Sequence, residues 1–490
     1  MSKVHHYRVV IETQSPMAIN TGGRETGFDA QLARDANGLP YIPATAVAGV
    51  WSHLVESRLG KDVRKLWFGS TEVSSVLTIT NGLIHDSTNC PVTGLRSQQS
   101  LTTDPLLALM TQERPLHRER VRINDRGVAA DTGKFDQLLL PKGVRFSLSI
   151  DWHDNAAKEL QVQWPELLAC WGDRRFALGA NTRNGLGQIR VVACEYTQAD
   201  LSTGPQSGRL LQDARKLDKV PTTLDASWPT DDDGLLFASL PLKALDNWRC
   251  GAGSVLLGEE NAEVDILTYS EAAVNWSNNV GKLGDAEPVL CGSSIKGMLA
   301  HRIAYHYRRH SGDWAEQKDQ VIEQAWQQEA TRYAPGEAEA HKANFIHQQW
   351  ELAPQELSAI FGLADEEHDN SLAGKLFVDD CPVSFQHTVI RQHNSIDRFT
   401  GGVRQGALFN EQLLYQPEFT LKLWVAPDNA VSPALSQAII DTLDDLKHGL
   451  LPLGAGSGRG ASLVEHHQEQ PWLVNESTLN VVAVAEEAGQ

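Results

Sequence analysis

The chain repeats itself, and that constrains its fold more than any single motif. In the first half, a strand-like segment at residues 4–12 (VHHYRVVIE) is followed by a polar, glycine-bearing stretch from Thr21 to Asp29. Then come PATAVAG, residues 43–49, and a run with helical spacing in which Val50, Leu54, Val55 and Leu59 share a face. The second half returns in the same order: LLFASLPLKAL, a polar stretch from Gly251 to Glu260, then CGSSIKG and MLAHRIAYHYRR. Laying Pro43-Ala44-Thr45-Ala46-Val47-Ala48-Gly49 on Cys291-Gly292-Ser293-Ser294-Ile295-Lys296-Gly297 needs no gap. Three further segments keep the order. LWFG (66–69) answers to AIFG (359–362), INDRGVAADTGKFDQLLL to SIDRFTGGVRQGALFNEQLLY, and LGANTRNGLGQ (from Leu178) to LGAGSGRGA (from Leu453). Ordered self-similarity of this kind reads as one folding module used twice.

Length agrees, because 490 residues exceed what one hydrophobic core serves. The expected organisation is a first domain at 1–200, a linker at 201–233 rich in Ser, Thr, Pro, Gly and Asp, and a second domain at 234–475. The second domain carries a polar insertion, 311–350, that reads as helical, and 476–490 forms a tail. Each copy mixes strand-like and helical segments, so an αβ module is expected.

A formal net charge of −19 excludes a surface that is basic all over. Any nucleic-acid site must therefore be local, made where a few Arg and Lys meet backbone N–H groups. No apolar run is long enough to span a membrane, and MSKVHHYRVV lacks the apolar core of a secretory signal, so a cytoplasmic protein with no membrane partner is expected. The six cysteines form no C-x-x-C pair and read as reduced small hydrophobes.

Two motif types carry chemistry. GSSIKG (292–297) combines a turn with a helix start: Ser293 or Ser294 is the expected N-cap, and Lys296 in the first turn makes a seat for phosphate. A plain capped helix with a solvated Lys is the blander alternative. The two terminal loops gather Gly185 and Gly187 around Arg183, and Gly456, Gly458 and Gly460 around Arg459. Glycine permits positive φ and close approach of backbone to a ligand, so such loops can present N–H groups to phosphate; ordinary turns are the alternative. His5, His6, His301, His306, His310, His466 and His467 form no i, i+4 pair with a carboxylate that would mark a zinc site. His306 and His310, four apart, read as a solvated, partly basic helix face.

The whole order resembles the repeat-associated (RAMP) superfamily, and within it the backbone subunits of type III CRISPR effector complexes. It comprises a polar Gly-Asp loop, P-x-(I/L)-P-G-S-S-(I/L)-K-G before a helix, a lone F-G, an I-D-R-x-T-G hairpin followed by G-x-L-F-x-E, and a terminal glycine-rich loop. PVLCGSSIKGMLAHR, NSIDRFTGG, GALFNE and LGAGSGRG match best; FDAQLARDANGLPYIPATAVAG, DRGVAADTGKF and LGANTRNGLG carry the likeness in the first half.

The resemblance implies an α+β fold of two tandem ferredoxin-like (RRM-like) domains, each with a β-hairpin thumb and a glycine-rich loop. It also implies a subunit that binds guide RNA (crRNA) along its backbone and cleaves complementary target RNA at regular positions, working beside other effector subunits in antiviral defence. The position matching the family's cleaving Asp is Asp29, which would also hold a divalent ion, Mg2+; a carboxylate near a scissile phosphate can orient the 2′-hydroxyl or hold a metal. Asp35 reads as a turn starter. In the second copy the loop is longer, and Asp265, followed by Glu271, is the matching candidate. Guide contacts are expected from Ser293, Ser294, Lys296, Arg302, Arg183, Gly185, Gly187, Gly456, Gly458, Arg459 and Gly460. The first copy has Ala48 where the second has Lys296, so its grip would rest on backbone and on Arg58, Arg64 or Arg183. The alternatives are a catalytically inactive guide scaffold and a guide-precursor processing endonuclease.

Overall fold

The computed structural model describes residues 3–21, 31–123, 129–154, 158–217, 220–224, 228–229, 234–258, 262–312, 314–334, 337–351, 353–363 and 371–482. The chain forms two compact units. The first is Met1–Arg120, Phe135–Gly234 and Ser270–Glu287; the second is Val121–Lys134, Leu235–Tyr269 and Pro288–Gln490. The halves therefore exchange a segment each.

In the first unit, strand β1 (Lys3–Thr13) leads to helix α1 (Ala44–Leu59), strand β2 (Leu77–Ile79), strand β3 (Arg145–Asp154), helix α2 (Lys158–Ala169) and strand β4 (Ile189–Asp200). The sheet order is β2-β3-β1-β4, and every neighbouring pair is antiparallel. β1 is central, with Val9 opposite Leu148 on one side and Cys194 on the other. Its alternate residues Tyr7, Val9 and Ile11 join a core closed by Trp51 of α1 and Leu160, Trp164 and Leu167 of α2. α1 buries Val47, Trp51, Leu54 and Val55. The apolar face is thus rotated towards Trp51 from the one expected at Val50 and Leu59. Between β2 and β3 the chain makes a hairpin from strands Leu116–Ile123 and Ala129–Leu139, of which the root, up to Arg120 and from Phe135, belongs to this unit. The strand pair beginning at Ser270, from the second half of the sequence, completes this unit: Val274 lies in the core, and the Trp276 indole N–H donates to the Gly143 carbonyl at 2.7 Å.

The second unit repeats the plan. Strand β5 (Leu236–Ala244), helix α3 (Gly292–Ser311), strand β6 (Leu376–Val378), strand β7 (Glu418–Val425), helix α4 (Pro433–Lys447) and strand β8 (Val464–His466) follow one another, with sheet order β6-β7-β5-β8, again antiparallel throughout. A hairpin of Thr388–His393 and Phe409–Tyr415 again separates the second and third strands. The recurring F-G is a helix stop. Gly69 and Gly362 cap short helices at φ 78° and 82°, where an added Cβ would stand 2.6 Å from the Val73 carbonyl oxygen and 2.5 Å from that of Leu372. The insertion holds helices Ala315–Glu329 and Ala338–Glu351, packed through Trp326 and Phe345 with ring centroids 5.3 Å apart. Residues 476–482 dock on this unit: Leu479 is buried, and Val481 bridges Val431. No helix among the described residues is long and apolar enough to cross a membrane.

Residues 201–233, expected as a linker, contain the helix Pro205–Ala214, and Trp228 lies in the first core. The reason is on β1. His6 and Arg8, on the face away from α1 and α2, are buried, and each needs a polar partner. His6 pairs with Asp151 (2.5 Å) and contacts the Ala214 carbonyl (3.2 Å); Arg215 holds the other Asp151 oxygen (2.6 Å); Arg8 pairs with Glu195 (2.5 Å) and donates to the Lys216 carbonyl. Burial alone would raise the Asp151 carboxyl, but His6 and Arg215 outweigh it and hold it below the usual carboxylate range. Asp151→Ala is expected to cost the first unit about 2–3 kcal/mol in chemical denaturation and to open Pro205–Ala214 to limited proteolysis. Asp213→Ala, at an exposed position on the same helix, should leave both unchanged.

Candidate nucleic-acid interface

The two glycine-rich loops share one backbone. In the first unit, Asn181 (φ 58°) and Gly185 (φ 91°) flank a single 3₁₀ turn, Thr182–Asn184; in the second, Gly456 (φ 79°) and Gly460 (φ 76°) flank Ser457–Arg459. Asn is the non-glycine residue that tolerates this left-handed region best, which is why one glycine is dispensable here. Each loop is tied to the segment after its unit's first strand: the Ala180 N–H donates to the Ala18 carbonyl (2.8 Å) and the Ala455 N–H to that of Arg249 (2.7 Å). The glycine before each of those alanines has no room for a side chain, since a Cβ on Gly179 or Gly454 would meet backbone at 2.3 Å and 2.8 Å. Gly187 is tighter still, 2.0 Å from the Leu178 carbonyl oxygen. The Arg459, Gly460 and Ala461 amides bond to carbonyls of Gly456 and Ser457, while Ser457–Gly460 stay exposed.

Sequence reasoning missed what stands beside the second loop. Glu411, the last letter of GALFN-E and 1% exposed at its side chain, accepts from Arg459 (3.1 Å) and His393 (2.8 Å) and forms an ion pair with Arg249 Nε at 3.4 Å. Burial alone would raise its carboxyl, but the Arg459 hydrogen bond and the charges of Arg459, Arg249 and His393 hold it below the usual range. One buried carboxylate is shared by two permanent guanidinium charges, and Asp265 adds a second, exposed carboxylate nearby. Arg459 meets Glu411 through Nε and Nη2 and is 37% exposed, so the Nη1 donors are not used by that pair.

Asp265 belongs to the same cluster. The Asn410 N–H donates to its Oδ2 (2.8 Å), and Ile266 bridges Glu411 in parallel, so this exposed carboxylate is fixed one step from the Arg459 site. Glu271 is placed elsewhere: it pairs bidentately with Arg118 in the first unit (2.5 and 2.9 Å).

The start of α3 differs from the expectation. Its N-cap is Cys291, with no side-chain cap bond, and Ser293 and Ser294 lie inside the first turn. The Gly292 N–H donates to the Asp380 carboxylate (2.8 Å), a neighbour favoured by the partial positive charge of a helix N-terminus. The Lys296 ammonium donates to the Leu376 carbonyl (3.1 Å), and Arg302 pairs with Asp445 (2.6 Å), which also takes His306 (2.6 Å). His310 pairs with Asp441 (2.6 Å), so that basic helix face is matched by acids on α4. Asp29, and Asp125 and Arg126 of the segment INDRGV, lie outside the described residues.

The model of the RAMP superfamily matches residues 10–190 and again residues 242–465. The chain belongs to the RAMP superfamily. Each match spans one unit's strand, helix, hairpin and glycine loop, so the RAMP module occurs twice, and the Glu411 cluster lies within the second copy. No curated protein matches this RAMP chain. Among solved structures, a chain of the type III-B Cmr-beta complex bound to cognate target RNA matches at 19% identity with a TM-score of 0.27. The match covers 40% of this chain and 61% of that one, short of two thirds of its length.

Proposed function

We propose that this chain is a backbone subunit of a type III CRISPR effector that holds guide RNA across both copies and cleaves the complementary target RNA. The observation that carries the reading is the pair of glycine loops: two RAMP copies with the same left-handed, 3₁₀, left-handed backbone, the second carrying Arg459, whose Nη1 donors the Glu411 pair does not use. Phosphate is the ligand such a turn suits, and backbone contacts of this kind bind without reading sequence. The β-α-β-β-α-β order and the sheet order of each unit support the ferredoxin-like assignment, and the hairpin between the second and third strands takes the part of the thumb. The motif order, densest in the second copy, supports type III. Asp29 is the cleaving residue and Mg2+ site of the first copy, and Asp265 the corresponding residue of the second; the protein works in the cytoplasm beside further effector subunits.

The test starts with the full chain purified from cells carrying its neighbouring effector genes. RNA of a defined length is expected to copurify. With Mg2+ the complex should cut complementary RNA at regular positions, and Asp29→Ala should remove one cut while target affinity stays unchanged. Bound guide without any cut would leave a scaffold, and trimming of unprocessed guide transcript by the free chain would make it a processing enzyme.

A further inference from the structure

Strand residues two apart face the same side, so His117 and Glu119 of Leu116–Ile123 point together at the root of the first hairpin, and Asp136 comes from its partner strand Ala129–Leu139. One ligand atom from each of the three lies within 4.8 Å of the others. His117 Nε2 stands 3.3 Å from Asp136 Oδ1, and both atoms are closed off from solvent without a hydrogen bond to any described group. Buried polar atoms are seldom left so. A hydrogen bond would bring this pair to about 2.9 Å in line. Ligands held about 2.0–2.1 Å from a tetrahedral zinc ion stand instead about 3.3–3.4 Å apart along the edge of the tetrahedron.

The second unit holds an equivalent pair. Asp136 aligns with Glu411, because Gln137-Leu138-Leu139 lies on Gln412-Leu413-Leu414, and the pairing of His117 with Asp136 parallels that of His393 with Glu411. In the second unit Arg249 and Arg459 complete the neutralisation. In the first, Ala18 takes the place of Arg249, as the shared bond to the glycine-loop alanine shows, and Asn184 aligns with Arg459. Glu119 brings a second carboxylate within reach of the pair, and Arg118, on the opposite face of the strand, is engaged by Glu271. Two carboxylates and an imidazole form the donor set of a borderline divalent cation.

We propose that His117, Glu119 and Asp136 bind one divalent first-row transition-metal ion, with Zn2+ the best fit, and that the ion cross-links the two hairpin strands of the first unit. Three protein ligands leave a fourth position for water.

The experiment uses the full chain, stripped with chelator and titrated with Co2+ alone. The expected result is one Co2+ per chain with the intense visible absorption of a four-coordinate site, displaced by Zn2+. His117→Gln and Asp136→Asn should each weaken uptake at least about tenfold, whereas Asp213→Ala and His53→Ala, at exposed positions on the helix Pro205–Ala214 and on α1, should bind like the wild type. Zn2+ should also raise the melting temperature of the wild type and of neither ligand variant. The proposal is overturned if the wild type takes up no equimolar Co2+, a result that depends on no variant's folding. Wild-type uptake by both ligand variants, or loss of uptake in Asp213→Ala alone, overturns it equally.

Discussion

Glu411→Gln is expected to destabilise the second unit by about 3–5 kcal/mol, the usual cost of removing one partner from a buried ion pair. The substitution keeps the shape but leaves Arg249, 8% exposed, and Arg459 without their counter-charge. Chemical denaturation monitored by tryptophan fluorescence would read it, since Trp248 lies beside Arg249 in the second core and donates to the Leu453 carbonyl (2.6 Å). Adding Arg459→Gln should recover part of the loss, because it removes an uncompensated charge. A loss under about 1 kcal/mol would mean that the carboxylate organises nothing.

The same residue sets a pH dependence. Its folded carboxyl lies below the unfolded value of about 4.3, so its contribution is present above that pH and disappears as pH falls through the folded value. The wild-type second unit should therefore lose stability more steeply below about pH 4.3 than Glu411→Gln does. Parallel slopes for the two would contradict the ion-pair account.

The second large effect is in the glycine loops. Gly187→Ala combines a φ of 75° with a Cβ placed 2.0 Å from the Leu178 carbonyl oxygen, so the backbone itself must move. A cost of about 3 kcal/mol or more is expected, with weakened guide RNA binding. Gly458→Ala is the control. That position has no positive φ and nothing within 4 Å, so the change should stay within about 0.5 kcal/mol in a thermal melt. Any loss of RNA affinity at Gly458 would then report contact with the ligand and not distortion of the loop.

The duplication was legible in the sequence because glycine marks backbone geometry, and geometry is what the copies share. Gly69 and Gly362 stop equivalent helices, and Gly185 and Gly460 close equivalent turns. Where another residue tolerates that geometry, as Asn181 does opposite Gly456, the letters diverge although the backbones agree. Charge pairing was not legible. Glu411 finds Arg249, His393 and Arg459 from three separate segments, and Asp380 reaches the α3 N-terminus from beyond β6, none of which leaves a local periodic trace. The packing of Pro205–Ala214 was hidden for the same reason: its composition is that of a linker, and its partners His6 and Asp151 lie on strands far away in sequence. Asp265 is a candidate only through the family resemblance, in a loop longer than its counterpart, and its position next to Glu411 comes from the strand pairing.

The exchange of segments bears on how this protein can be taken apart. Ser270–Glu287 supplies Val274 to the first core and Trp276 to its surface, although it is encoded beyond the second unit's first strand. A gene cut between residues 234 and 235 would yield a first half with a gap in its interior and a second half carrying an orphaned hairpin. Two polypeptides descended from such a fusion could not regain independence by losing their junction alone. Tandem duplication here has passed from adjacency into mutual dependence, and the order of the genetic text no longer matches the boundaries of the folded parts.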